Sequence, residues 1–245
     1  MIHDSNEPSY VNPPITEVVL ELRLASELSS AKLKKIYDAL TKRYKTTKRD
    51  DQVEIKFDGL ARTASFRDKA PIYSLNSDDL TDSCILSVRS LAWVRRSPYP
   101  GWAAFIDRVG PEITTALKTL DKQIERLGLR YVNRIDVKPE GDVAPYEKYL
   151  NFRIDHGPLF EPTGGYQWLV AKRFPDTGLK ALVQSASLEE EMPGMAAFSF
   201  DIDVGCDIEV PQKASDILDK LEAMRALKNT IFEAGISDHA REMYV

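Results

Sequence analysis

Ala197-Phe198-Ser199-Phe200-Asp201-Ile202-Asp203-Val204 alternates apolar and polar side chains without a slip. A period of two puts Phe198, Phe200, Ile202 and Val204 on one face of a strand, with Ser199, Asp201 and Asp203 on the other. The segment therefore reads as a half-buried strand in a sheet whose second face stays wet. Downstream, from about Ala214, Ile217, Leu221, Met224, Leu227 and Ile231 recur at helical spacing. Gly235 is placed to stop that helix, and a short turn starts at Ser237. Upstream, residues 166–174 and 179–188 are two more strands, and Glu189-Glu190-Glu191 with Pro193 and Gly194 is a loop. Residues 145–152 suit a short helix. This half of the chain opens on residues 127–137, where Leu129, Tyr131, Asn133, Ile135 and Val137 face one way. Arg130, Val132, Arg134, Asp136 and Lys138 face the other.

The same order occurs earlier. Val18, Leu20, Leu22 and Leu24 alternate with Glu17, Glu21 and Arg23, giving a strand. Ser29 or Ser30 caps a helix with the stripe Leu33, Ile36, Tyr37, Leu40 and Tyr44. Residues 44–51 are basic and polar, a loop by composition. Strands are expected at 53–57, 63–67 and 72–75, followed by one long strand over 84–96. Trp102, Phe105, Ile106, Val109, Ile113, Ala116, Leu117 and Leu120 mark an amphipathic helix that Pro111 should kink or restart. Each half thus follows roughly β-α-β-β-β-α, with a fourth middle strand in the first. The expected fold class is α+β, internally duplicated, with antiparallel sheets and long helices packed on them. Its topology resembles helix-grip folds and the duplicated TATA-binding-protein architecture. The expected organisation is an N-terminal arm over 1–14, a first half over 15–122 and a second half over 123–245.

Composition narrows the function classes. At 245 residues and 43% hydrophobic content the chain can bury a sizeable core. It has no apolar run long enough for a membrane span and no basic-then-apolar leader at its start, so no membrane role and a cytoplasmic residence are expected. Cys84 and Cys206 both fall in apolar strand-like runs and read as reduced, buried thiols. The net charge of −5 offers nucleic acid no global attraction. The charge is uneven: residues 1–125 hold 19 Lys/Arg and 18 Asp/Glu, while residues 126–245 hold 14 and 20.

Three stretches carry a family resemblance. They are Pro13-Pro14-Ile15-Thr16-Glu17-Val18-Val19 running into Glu21-Leu22-Arg23, then Leu129-Arg130-Tyr131-Val132-Asn133-Arg134-Ile135, and finally Phe232-Glu233 followed by Ile236-Ser237-Asp238. Together they resemble a sporadically distributed family of uncharacterised prokaryotic proteins. The resemblance implies no activity and transfers no catalytic residue. A patchy distribution of this kind is similar to that of defence, mobile-element or toxin–antitoxin genes.

The chemistry-bearing residues are few. His3, His156 and His239 lie outside any nucleophile–base motif, and no Gly-x-Ser-x-Gly elbow is present. Pro162-Thr163-Gly164-Gly165 lacks the lysine and hydroxyl of a phosphate loop. Asp201, Asp203 and Asp207 are the weak metal alternative, since oxygen ligands suit Mg²⁺ or Mn²⁺. Arginines are the stronger candidates. Arg89 and Arg95 are expected to share a strand face with Trp93, and Arg130 and Arg134 share another. Guanidinium groups converging there would suit phosphate, unless they pair with Glu17, Glu21, Glu54 or Asp136 instead. Tyr10, Tyr99, Trp102 and Trp168 are candidate interface aromatics, and the arm over 1–14 is a segment that two subunits could exchange.

The expectation from sequence is a binding or interaction protein of the defence or toxin–antitoxin kind, not an enzyme. It would hold no cofactor, and its partner would be another protein. Nucleic-acid or nucleotide binding through the arginines is the second expectation. A metal-dependent enzyme built on Asp201 and Asp203 is the third.

Overall fold

Among the described residues, nine antiparallel strands form a single sheet, in the order β2-β3-β4-β5-β1-β6-β9-β8-β7. The computed structural model describes residues 10–58, 63–120, 124–140, 144–153 and 165–245, with backbone only over 51–58 and 63–70. The strands are β1 (Ile15–Leu24), β2 (Thr46–Asp58), β3 (Thr63–Asn76), β4 (Asp82–Leu86), β5 (Ser90–Arg96), β6 (Ile124–Val137), β7 (Gln167–Phe174), β8 (Leu179–Leu188) and β9 (Ala196–Cys206). The helices are α1 (Ser30–Leu40), α2 (Trp102–Leu117), α3 (Ala214–Gly235) and α4 (Asp238–Arg241). The protein is therefore α+β. Among the described residues no helix is long and apolar enough to cross a membrane.

The alternation read from the sequence decides which face is covered. Val18, Leu20, Leu22 and Leu24 of β1 are buried with Leu127, Leu129, Tyr131 and Ile135 of β6 and Phe198, Phe200, Ile202 and Val204 of β9. Leu33, Ile36 and Leu40 of α1, Phe105, Val109 and Ile113 of α2, and Ile217, Leu221 and Met224 of α3 close the same core. All the long helices thus lie on one face, and the other face of the central strands carries the polar residues. Cys84 and Cys206 are free and buried, as expected.

The central seam is β1 against β6, with Val18 opposite Tyr131 and Leu20 opposite Leu129. Two of the three stretches that carry the family resemblance thus pair directly. The backbone N–H of Arg134 donates to Pro14 O at 2.9 Å. The buried Asn133 donates to Phe200 O at 2.7 Å. The third stretch closes the chain: Ser237 caps α4 and donates to Lys148 O at 2.7 Å, while Tyr10 donates to Glu233 at 2.9 Å. All three stretches have a folding role.

Several expectations need correction. The long strand over 84–96 is a hairpin, β4 and β5, with Ile85 opposite Ala92 and Leu86 opposite Leu91. Ser87 makes the turn, its hydroxyl accepting from the backbone N–H of Arg89 at 3.2 Å and of Ser90 at 2.9 Å. Reversal moves Leu91 and Trp93 onto the face of Cys84 and Leu86. Residues 46–51, read as a loop, begin the edge strand β2. The stretches 63–67 and 72–75 are one strand, β3, that runs through Pro71. A register shift between Asp50 and Gln52 falls at that proline, so its missing donor sits at a bulge. α2 likewise runs through Pro111 as one helix. The short helix expected at 145–152 is a single 3-10 turn, Tyr146–Lys148. Tyr10 of the arm docks edge-on against Phe232 and Tyr244; residues 1–9, with His3, lie outside the described residues, as do His156 and 162–164.

Candidate functional site

The uncovered face of β1, β6, β9 and β8 is built from the residues that alternate with the core. From β1 come Glu17, Glu21 and Arg23; from β6 Arg126, Arg130, Arg134 and Asp136; from β9 Asp201 and Asp203; from β8 Gln184. Cross-strand register sets their meeting points: Arg130 stands opposite Asp203, Val132 opposite Asp201, and Gly128 opposite Gly205.

That glycine pair makes a bed for Arg126. A Cβ on Gly128 would lie 2.3 Å from Arg126 Nη1, and one on Gly205 3.1 Å from Arg126 Nη2. The guanidinium therefore lies flat across three strands. It donates from Nη1 to Glu21 at 3.0 Å and from Nη2 to Asp203 at 2.7 Å. Burial pushes the Asp203 carboxyl above its ordinary value, against the pull of Arg126 and Arg130.

Arg130 grips Asp201 through Nε at 2.9 Å and through Nη2, and Gln184 donates to the same carboxylate at 2.6 Å. Asp201 is 3% exposed, so its charge is held by these partners rather than by water. Arg134 donates to Asp136 at 3.0 Å, to Glu191 at 2.8 Å and to Glu189 O at 2.9 Å, tying β6 to the β8–β9 loop. Arg96 at the end of β5 donates to Ser83 at 2.9 Å and stands 3.6 Å from Glu17. Arg23 donates to Glu21 at 3.3 Å. Every guanidinium named on this face is thus matched to a carboxylate, and the cluster is close to neutral.

The structure separates the arginines that the sequence grouped. Arg130 and Arg134 share the uncovered face. Trp93 is fully buried on the helix-covered side. Arg95 lies on that side as well, donating to Asp82 at 3.1 Å and to Pro98 O at 2.8 Å. Arg89 sits in the β4–β5 turn beside Glu27 at 3.4 Å. Arg126 and Arg96 were missed. Arg126 is in phase with Arg130 and Arg134, but β6 starts at Ile124, earlier than the apolar alternation suggested.

Asp201 and Asp203 do point the same way, and each carboxylate is bonded to a guanidinium. A cation would have to displace two arginines to reach them. Asp207 pairs instead with Arg173 at 2.9 Å. Among the described residues, no three His, Cys, Asp or Glu side chains are grouped to hold a metal. His239 stacks on Tyr149, with ring centroids 4.9 Å apart.

A second polar cluster lies inside the helix-covered side. Glu112 of α2 is 2% exposed and accepts from Trp93 Nε1 and from the Tyr44 hydroxyl, both at 2.8 Å. Arg108 donates to that hydroxyl at 3.0 Å and to Val94 O at 3.0 Å, and lies 3.2 Å from Asp82. Burial raises the Glu112 carboxyl above its ordinary value, outweighing Tyr44, Arg108 and Trp93, which stabilise its charge. The Tyr44 hydroxyl and the Cys84 thiol beside it are raised by the same desolvation. The cluster fastens α2 and the chain after α1 to the β4–β5 hairpin.

Comparison with models of known protein families gives no match, and neither does comparison with curated proteins.

Proposed function

We propose that this chain is a binding protein whose partner is another protein, docked on the uncovered face of the central strands. The observation that carries this reading is the pairing of Arg126, Arg130, Arg134 and Arg96 with carboxylates. A polyanion is held by guanidiniums free to reach phosphate, with affinity that grows with the charge neutralised. A near-neutral mosaic of fixed ion pairs suits instead a partner of complementary mosaic, because alternating charges set register and exclude wrong partners.

The architecture supports the reading. In the first half β1 pairs with β5, the last strand of the meander β2-β3-β4-β5, and in the second β6 pairs with β9, the last of β7-β8-β9. A long helix follows each meander, and β1 meets β6 antiparallel at the middle. We read this as an internal duplication of the helix-grip and TATA-binding-protein kind, with one broad face left for a ligand. The resemblance to the sporadically distributed prokaryotic family is what supports a defence or toxin–antitoxin setting for the partner.

Affinity capture from native lysate tests the assignment. Reversing two charges of the face, the half-buried Glu17 and the exposed Arg23, as Glu17→Lys with Arg23→Glu, is expected to weaken retention of the partner by about tenfold or more. Lys34→Glu on α1, whose side chain is 65% exposed, is expected to leave it unchanged. Retention that is nuclease-sensitive and falls steeply with salt would favour the nucleic-acid reading instead. Equal loss in all variants would reject the face.

A further inference from the structure

Among the described residues, the two edges of the sheet are not alike. β2 carries Lys48, Arg49 and Asp50 in succession and a register shift beside them, devices that keep an edge from pairing with another chain. At the opposite edge β7 has no proline, and its pairing with β8 runs from Gln167 opposite Ala186 to Phe174 opposite Leu179 without a shift. Its middle is apolar, with Leu169 54% and Val170 51% exposed. Its cations, Lys172 and Arg173, are confined to one end.

We propose that β7 pairs antiparallel with β7 of a second copy, about a two-fold axis at Val170, to give one sheet running through both molecules. The sequence of the strand is self-complementary in this register. Val170 meets Val170, Leu169 meets Ala171, Trp168 meets Lys172, and Gln167 meets Arg173 of the second copy. No like charges face each other, and each cation stands opposite an uncharged side chain.

The neighbouring strand extends the match. Val183 lies opposite Val170 within one copy, so a row of valines, Val183-Val170-Val170-Val183, crosses the axis on the helix-covered side. On the uncovered side Leu182 lies opposite Ala171, which continues onto Leu169 of the second copy. Pairing centred on Lys172 or Arg173 would instead oppose like charges across the seam. An isologous contact of this kind closes on itself, so it stops at two copies. It is independent of the partner-binding reading, which concerns the uncovered face of the central strands and not the hydrogen-bonding edge of β7.

Analytical ultracentrifugation of the intact chain tests it. The wild type is expected at twice the chain mass. Val170→Lys and Val170→Glu each set two like charges face to face on the axis and are expected at the mass of one chain. Mixing these two variants is expected to restore the doubled mass, because opposite charges then meet. Val170→Cys is expected to cross-link copy to copy on oxidation, with the native thiols buried out of reach. A wild type that sediments as one chain at every concentration overturns the proposal, and so does a Val170→Lys variant that sediments like the wild type. If the mixed variants stay single while both keep native circular dichroism, the axis at Val170 is wrong.

Discussion

Replacing Glu112 by alanine is expected to cost about 2–6 kcal/mol of stability, read as a lower denaturation midpoint. The figure follows from the two donors it would strand, at roughly 1–3 kcal/mol each. Trp93 Nε1 and the Tyr44 hydroxyl both aim at Glu112 Oε2. Glu112→Gln keeps an acceptor in place and is expected to cost about 1 kcal/mol. The pair also separates by pH. The Glu112 carboxyl is raised by burial, so the folded chain keeps its proton at pH values where the unfolded chain has lost it. Stability from this group is therefore full below the unfolded value of 4.5 and declines as pH rises through the folded one. Urea unfolding from pH 4.5 toward neutrality should show the wild type losing ground to Glu112→Gln as pH increases. A gap that widens in the wild type's favour would show that the carboxylate, not the acid, is the form the fold prefers.

Much of this fold was written in period two and period 3.6. β1, β6 and β9 each bury the face their alternation names, and α3 starts where its apolar stripe starts. The failures have physical causes. Residues 84–96 read as one strand because the turn made from Ser87, Val88, Arg89 and Ser90 contains neither glycine nor proline. The hairpin was invisible to residue type, and the error moved Trp93 and Arg95 onto the wrong face. Residues 46–50 form an edge strand, where no face is apolar enough to show a period. Arg126 was lost because Gly128 breaks the alternation around it. That glycine is there because the guanidinium occupies the space of its missing side chain. Glu112 lies on the buried stripe of α2 beside Val109, Ile113 and Ala116, a polar residue in a core position. Its donors come from residues 68 positions before and 19 before, which no local pattern connects.

Gly235→Ala is the second substitution expected to act strongly, and for a reason the sequence did not suggest. The residue was read as a helix stop, and α3 does end there, but no left-handed backbone angle requires glycine at this position. Proximity requires it. A Cβ would lie 2.5 Å from Phe200 Cζ and 3.0 Å from Phe152 Cε2. Both rings belong to a packed aromatic group: Phe152 stacks with Trp168 at 4.7 Å between centroids, and Phe200 touches Phe232 at 6.1 Å. The fully buried Phe200 cannot swing aside without displacing these neighbours, so one added methyl should cost about 1–3 kcal/mol. The end of α3 is also where Asn151 N–H donates to Gly235 O at 2.8 Å, so a shift there loosens the chain before β7 as well. Trimming the obstructing ring separates crowding from any backbone effect. Phe200→Leu alone leaves a void and destabilises, yet in combination with Gly235→Ala it supplies the room the methyl needs. The double variant is expected to be more stable than the sum of the single losses by about 0.5–3 kcal/mol, measured as a coupling energy from chemical denaturation. Simple additivity would mean that glycine serves the helix end through its backbone freedom alone.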